Sequence, residues 1–217
     1  EMIEKFSDQF FDRGCPSCSS SERHLAIEVW GLNYQRCESC SLVYIAPCPN
    51  DDIRSWYLEN SRGLKFWREN MPKNVKKSRL PLHLDRLEFI EAAMAQFSDG
   101  NKELLVEVGA GNGEMAEVIS SKGLFREIIL IEPQPIELDL PSCSVVNSEL
   151  SNVNLPYQAS VVIAFEVLEH INEPKQFLED IAKITEEGGL LIMSTPNVDG
   201  LEVSALSNLS STVMFDH

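Results

Sequence analysis

The sequence predicts a parallel α/β sheet preceded by a small metal-stapled module, and three observations carry that expectation. Apolar runs at Leu104-Leu-Val106, Glu127-Ile-Ile-Leu-Ile131, Ser160-Val-Val-Ile-Ala-Phe165 and Leu190-Leu-Ile-Met-Ser194 are separated by stretches of helical spacing. That alternation is the pattern of strands joined by crossover helices. The first run leads directly into a glycine-rich turn, Glu107-Val-Gly109-Ala-Gly111-Asn-Gly113. Two Cys-x-x-Cys pairs, Cys15/Cys18 and Cys37/Cys40, stand in the first forty residues, away from the sheet-forming half.

The glycine-rich turn is the site signal. A strand that turns through glycines into a helix lets backbone approach a nucleotide-type cofactor closely. A dinucleotide fingerprint reads G-x-G-x-x-G, but its third glycine position is Glu114 here. The pattern is acidic-x-G-x-G-x-G, with Glu107 leading. A carboxylate there repels a pyrophosphate and suits a ligand bearing an ammonium and a sulfonium, a description that fits S-adenosylmethionine. Glu132 ends the second strand, where a carboxylate accepts both ribose hydroxyls. The third strand is expected around residues 143–146 and the fourth over 160–165, followed by Glu166-Val-Leu-Glu-His170. Phe177, Leu178, Ile181 and Ile184 recur at helical spacing after Pro174, which suits a first turn. Gly188-Gly189 is expected to stop that helix before the fifth strand, which ends in Thr195-Pro-Asn197.

In this order, EVGAGNG, IEP, FEVLEHI and EEGGLLIMSTPN resemble the class I S-adenosylmethionine-dependent methyltransferases over residues 104–197. The resemblance implies a Rossmann-like sheet. It implies cofactor contacts from Glu107, Gly109, Gly111, Gly113, Glu132, Phe165 and Glu166, with Ser148 or Glu149 near the adenine. The sequence departs from the family in two places: Ala159-Ser160 replaces a common Phe-Asp, and Asn147-Ser148-Glu149-Leu150 replaces a Gly-Asp. The family's common sheet has seven strands, so the domain is expected to be truncated after the fifth.

Methyl transfer is a displacement in which the enzyme positions the acceptor and removes its proton. His170 is the candidate general base, because an imidazole with an ordinary pKa of about 6.5 is largely unprotonated at neutral pH. Its alternative role is to fix the turn after the fourth strand. The stretch Cys40-Ser-Leu-Val-Tyr44-Ile-Ala-Pro47, followed by Trp56-Tyr57, resembles bacterial methyltransferases of sugar-nucleotide and surface-polysaccharide pathways. By that resemblance Tyr57 reaches the acceptor; as a bare aromatic it is equally a packing residue.

The cysteine pairs, with eighteen residues between them, match four-cysteine zinc ribbons or knuckles. Redox-active disulfide pairs are the alternative. The absence of a signal peptide or transmembrane run points to a reducing, cytoplasmic setting in which such pairs bind metal. A hairpin is expected between the pairs, from Leu25 to Cys37, turning at Gly31-Leu-Asn33. Cys48 and Cys143 read as ordinary thiols.

Domain boundaries are placed at 1–60 for the zinc module, 61–100 for a helical connector and 101–217 for the cofactor domain. In the connector, Leu84, Leu87, Ile90, Met94 and Phe97 are expected to form the apolar face of a helix over 80–97. The net charge is −16, from 34 acidic and 18 basic residues. That balance opposes a nucleic-acid partner, since phosphate neutralisation supplies most such affinity, and so argues against an RNA methyltransferase. One basic cluster, with Arg68, Lys73, Lys76 and Lys77, is either a solvated connector or a patch for a phosphorylated acceptor. Two functional readings stand: an enzyme acting on a small, carbohydrate-type acceptor, and a partner-dependent module that docks through its zinc ribbon.

Overall fold

The computed structural model describes residues 2–63, 65–66, 73–98, 100–136, 138–210 and 212–213, and the side chains of 73–76 lie outside that description. The described residues form two compact units that interleave along the chain. The first draws on Glu1–Met71, Glu169–Lys175 and Pro196–His217, and the second on Pro72–Leu168 and Gln176–Thr195.

In the first unit, α1 (Met2–Phe6) precedes an antiparallel sheet of β1 (Arg23–Val29), β2 (Leu32–Cys37) and β3 (Val43–Ile45), then α2 (Asp51–Asn60). The β1–β2 turn is Trp30-Gly31, one step earlier than the sequence suggested, and both residues have positive φ, 51° and 83°. Two left-handed residues in succession make the hairpin turn whose twist matches its strands, so Leu32 and Asn33 are released into β2. The α2 helix is capped by Asn50, whose side chain accepts from the Ile53 amide at 2.9 Å.

The sequence boundaries at 60 and 100 do not coincide with these units. Val203 of α6 (Leu201–Leu206) and Val213 join Met2, Val29, Leu32, Tyr34 and Ile53 in one apolar cluster, and Arg36 of β2 pairs with Asp199 at 2.6 Å. Burial of those valines draws the C-terminal segment into the first unit.

The second unit is a five-stranded parallel sheet in the order β6-β5-β4-β7-β8. Its strands are β4 (Leu104–Val108), β5 (Glu127–Ile131), β6 (Cys143–Val146), β7 (Ala159–Phe165) and β8 (Thr185–Ser194). Central β4 and β7 are buried nearly throughout, as strands covered on both faces must be. The β8 strand begins directly after α5 (Pro174–Ile184), with Gly188-Gly189 inside its irregular first half. Ser160 donates to the Leu104 carbonyl at 2.9 Å within the buried sheet, so its hydroxyl is satisfied.

Helix α3 (Lys73–Phe97) contains Pro81, which cannot donate to the carbonyl one turn back. Its buried face is His83, Leu87, Ile90 and Met94. Leu84 and Phe97, expected on that face, are 40% and 66% exposed. His83 takes the position assigned to Leu84 because it finds a partner: its Nε2 lies 3.2 Å from Glu114 Oε2 in the first turn of α4 (Glu114–Lys122). Arg68 of the basic cluster lies outside the described residues, as do the side chains of Lys73 and Lys76. Among the described residues no helix is long and apolar enough to cross a membrane.

Candidate cofactor site and four-cysteine centre

The sheet order fixes where the second unit can hold a ligand. Strands β5 and β6 lie to one side of β4, and β7 and β8 to the other, so the chain reverses its winding between β4 and β7. In open parallel sheets the crevice at the carboxyl ends beside that reversal is the ligand site. The loops after β4, β5, β6 and β7 carry Gly109 to Gly113, Glu132, Ser148-Glu149 and Glu166 respectively.

The turn after β4 is built for close approach. Gly109 has φ of 70°, and a Cβ there would lie 2.5 Å from Val167 Cγ2. Gly111, at φ of 56°, faces open space and donates its N–H to Glu132 Oε2 at 3.0 Å. The other Glu132 oxygen accepts from the Gln134 amide at 3.1 Å. The carboxylate is thus fixed against the turn. Asn147 ties the same region together by donating to the carbonyls of Glu132 at 3.3 Å and Gln134 at 3.0 Å. Ser148 turns its hydroxyl to the Glu149 carbonyl at 3.1 Å, and Glu149 caps the short 3-10 turn Leu150–Asn152.

Glu107 lies inside β4 and is only 6% exposed, and its Oε2 has no hydrogen-bond partner. Burial pushes its carboxyl up to about 8, against the pull of the Arg86 charge and the Ala116 amide; Glu132 adds to the rise. A buried carboxyl with one unpartnered oxygen beside the glycine turn has the chemistry to receive a cationic group.

At the end of β7, Glu166 adopts φ of 58°, a left-handed conformation that costs a non-glycine residue roughly 1–2 kcal/mol. Its partners hold it there: Ser194 at the end of β8 donates to Glu166 Oε1 at 2.5 Å, and Arg86 of α3 approaches at 3.4 Å. The Arg86 guanidinium also lies over the Phe165 ring, 4.6 Å from its centroid. Sequence reasoning missed Arg86, Ser194 and the His83–Glu114 pair. The available signal was weak: His83, Arg86 and Leu87 share one side of a helix, and polar residues on such a stripe need partners.

The first unit holds the other expected residues. His170 closes the short 3-10 turn Leu168–His170, and its carbonyl accepts from Arg54. Tyr57 packs against the cluster around Met2, Val29 and Ile53. Its neighbour Trp56 lines a cavity of about 560 Å³ with Glu4, Lys5, Asn60 and Arg62, and the Lys5 ammonium sits 4.2 Å from the indole centroid.

Cys15, Cys18, Cys37 and Cys40 converge, their sulfurs all within 4.8 Å of one another. Cys15 to Cys40 and Cys18 to Cys37 are each 3.5 Å apart. A tetrahedral ion with metal–sulfur bonds of about 2.3 Å requires sulfurs roughly 3.8 Å apart, so the set fits one ion. Two matching turns achieve this. Ser19 and Ser41 donate to the carbonyls of Cys15 and Cys37 at 2.8 and 2.9 Å, each serine at φ of 64°. Cys48 is buried and Cys143 half-buried, and both are free thiols.

A parallel sheet of this order with an acidic, glycine-built cradle at its carboxyl edge defines a nucleoside-cofactor-binding α/β domain. The methyltransferase-domain family matches residues 82–217, more than half of the chain. The chain belongs to that family, whose members similar to it are S-adenosylmethionine-dependent methyltransferases. The ubiquinone biosynthesis O-methyltransferase of Caulobacter is 29% identical over 139 residues, covering 54% of this chain and 54% of that protein. The mitochondrial enzyme of the same name from Schizosaccharomyces pombe is 28% identical over 127 residues, covering 52% and 46%. The chain therefore spans about half the length of these curated relatives. Among solved structures, the plantazolicin methyltransferase BpumL in complex with SAH shares the fold, with a TM-score of 0.56 at 14% identity over 75% of this chain and 65% of that one.

Proposed function

We propose that this protein transfers a methyl group from S-adenosylmethionine to a small, carbohydrate-type acceptor, with a zinc ion on its four cysteines as a structural staple. The observation that carries the cofactor reading is the orphaned Glu107 carboxyl set beside a glycine turn whose Gly111 amide is already bonded to Glu132. In this reading Glu107 takes the ammonium of the cofactor, Arg86 its carboxylate and Glu132 its ribose hydroxyls. Ser148 or Glu149 serves the adenine, and Phe165 and Glu166 form the wall.

When bound, the cofactor supplies an electrophilic methyl and a neutral thioether leaving group. The protein's own work is to orient the acceptor, keep water away and take one proton. His170 is the proposed base and Tyr57 a proposed acceptor contact, both resting on the family resemblance. Zinc on Cys15, Cys18, Cys37 and Cys40 supplies folding energy with all four positions closed, as structural sites do.

The carbohydrate class rests on the resemblance around Cys40 to Trp56-Tyr57. The charge of −16 weighs against a nucleic-acid acceptor. The relatives' names favour a second class, a hydroxylated aromatic ring. The test is to incubate the zinc-loaded protein and S-adenosylmethionine with nucleotide sugars and catechols, reading S-adenosylhomocysteine and methylated product by mass spectrometry. Methylated nucleotide sugar is the expected result. Methylated catechol alone would overturn the acceptor class, and no cofactor binding in calorimetry would overturn the whole reading.

A further inference from the structure

The segment Glu169–Lys175, which carries His170, belongs to the cysteine-bearing unit, although the chain on either side of it, through Leu168 and from Gln176, belongs to the sheet unit. Three residues of the first unit grip it. Arg54 of α2 donates to the His170 carbonyl. Arg13 donates to the Asn172 carbonyl at 2.6 Å and lies 3.5 Å from the Glu173 carboxylate. Asp51, the first residue of α2, accepts from the Asn172 side-chain amide at 2.6 Å.

Arg13 is itself held at the foot of the first cysteine turn. It stands two residues before Cys15, its side chain is 11% exposed, and its carbonyl accepts from Arg23, which also pairs with Asp12 at 2.6 Å. Backbone carbonyls gripped by buried or half-buried guanidiniums are strong, charge-assisted contacts. They fix the main chain of the segment at the His170 and Asn172 carbonyls.

We propose that Arg13, Arg54 and Asp51 are positioning residues for His170, and that filling the four-cysteine site sets how firmly Glu169–Lys175 is held. The inference deepens the reading of His170 as the base and rests on it. Metal on Cys15 orders the turn that begins at Arg13. Arg13 and α2 then clamp the segment, so the loading of the cysteine site is felt at the main chain of residues 170–173, within the same unit.

The test uses the intact zinc-loaded chain, the Arg13→Ala, Arg54→Ala and Arg54→Lys variants, and wild type treated with a chelator. Three quantities are read: amide hydrogen exchange over 169–175, the His170 imidazole resonance (one of four histidines in the chain), and S-adenosylhomocysteine affinity. The expected result is exchange over 170–173 at least 10-fold faster in both alanine variants and after chelation, with a broadened His170 signal. Arg54→Lys restores part of the protection, because a lysine still donates to the carbonyl. Zinc content of the variants stays at one per chain, and S-adenosylhomocysteine affinity stays within twofold.

Unchanged exchange over 170–173 in the alanine variants or after chelation would overturn the proposal. So would loss of S-adenosylhomocysteine binding in step with exchange, which marks general unfolding. The base reading fails separately: His170→Ala with full turnover would remove it while the exchange responses remained intact.

Discussion

Replacing Glu107 with glutamine should make the cofactor-free protein more stable at alkaline pH while weakening its hold on the cofactor. In the folded chain the Glu107 carboxyl keeps its proton up to about 8, whereas unfolded it ionises at the ordinary value of 4.5. Between those values the folded state binds more protons than the unfolded one, so stability falls as pH rises. This contribution is complete below pH 4.5 and lost through pH 8. At about 1.4 kcal/mol per pH unit the loss approaches roughly 5 kcal/mol, of which about 3 is already gone at pH 7. Glutamine has the same shape and does not ionise. Any cost of burying its amide is a constant offset, so the diagnostic is the slope with pH. Urea unfolding of both proteins, followed by circular dichroism at pH 5, 7 and 8.5, should show Glu107→Gln gaining about 3–5 kcal/mol on wild type across the series. A cationic ligand group beside Glu107 favours the carboxylate, so cofactor binding near neutral pH should also release a proton. Calorimetry in buffers of different ionisation enthalpy should detect that release in wild type and not in Glu107→Gln. A stability difference that does not vary with pH would refute the argument from burial.

Further outcomes are expected. Glu132→Ala should weaken S-adenosylmethionine binding by roughly 1–3 kcal/mol in calorimetry, the usual cost of removing a charged hydrogen-bond partner, and Gly109→Ala should weaken it as Val167 is pushed aside. Elemental analysis in reducing buffer should find one zinc per chain, and a chain that returns none would remove the metal reading. His170→Ala should slow turnover by roughly 10²–10⁴-fold with cofactor affinity unchanged; full activity in steady-state kinetics would make the residue structural. Glu114→Ala should cost about 1–3 kcal/mol in chemical denaturation, because it strips the partner from His83, which is 8% exposed and already has an unpaired Nδ1.

What could be read from the sequence was whatever local chemistry determines. Parallel strands buried on both faces are continuous apolar runs, so β4, β5 and β7 stood out. A glycine turn and paired cysteines announce themselves through spacing. What could not be read depended on partners distant in sequence. The helical pattern of α3 favoured Leu84 over His83 because it contains no information about Glu114. Nothing local marked Arg86, which meets Glu166 and Ser194 only because the ends of β7 and β8 come together beside it. Val203 and Val213 carried no mark that they would pack beside Met2 and Val29. The hairpin turn was displaced by one step because a tryptophan at positive φ is a poor guess from propensity, although the geometry of a two-residue turn demands it.

The interleaving of the two units has a consequence for how the chain is made. Translation delivers Cys15 to Cys40 early, and the cysteine turns and the β1–β3 sheet can close on an ion while the rest is still being synthesised. The apolar cluster beneath them cannot. It is completed by Val203 and Val213, which leave the ribosome only after the five described strands of the parallel sheet have emerged. For that interval the cluster that holds Val29, Leu32 and Tyr34 lacks two of its buried members. Termination after Ser194 and before Val203 would therefore release a product whose antiparallel sheet lacks both valines while the five described strands of the parallel sheet are present. Quality control would meet that product as an aggregation-prone fragment, whatever the state of its cofactor cradle.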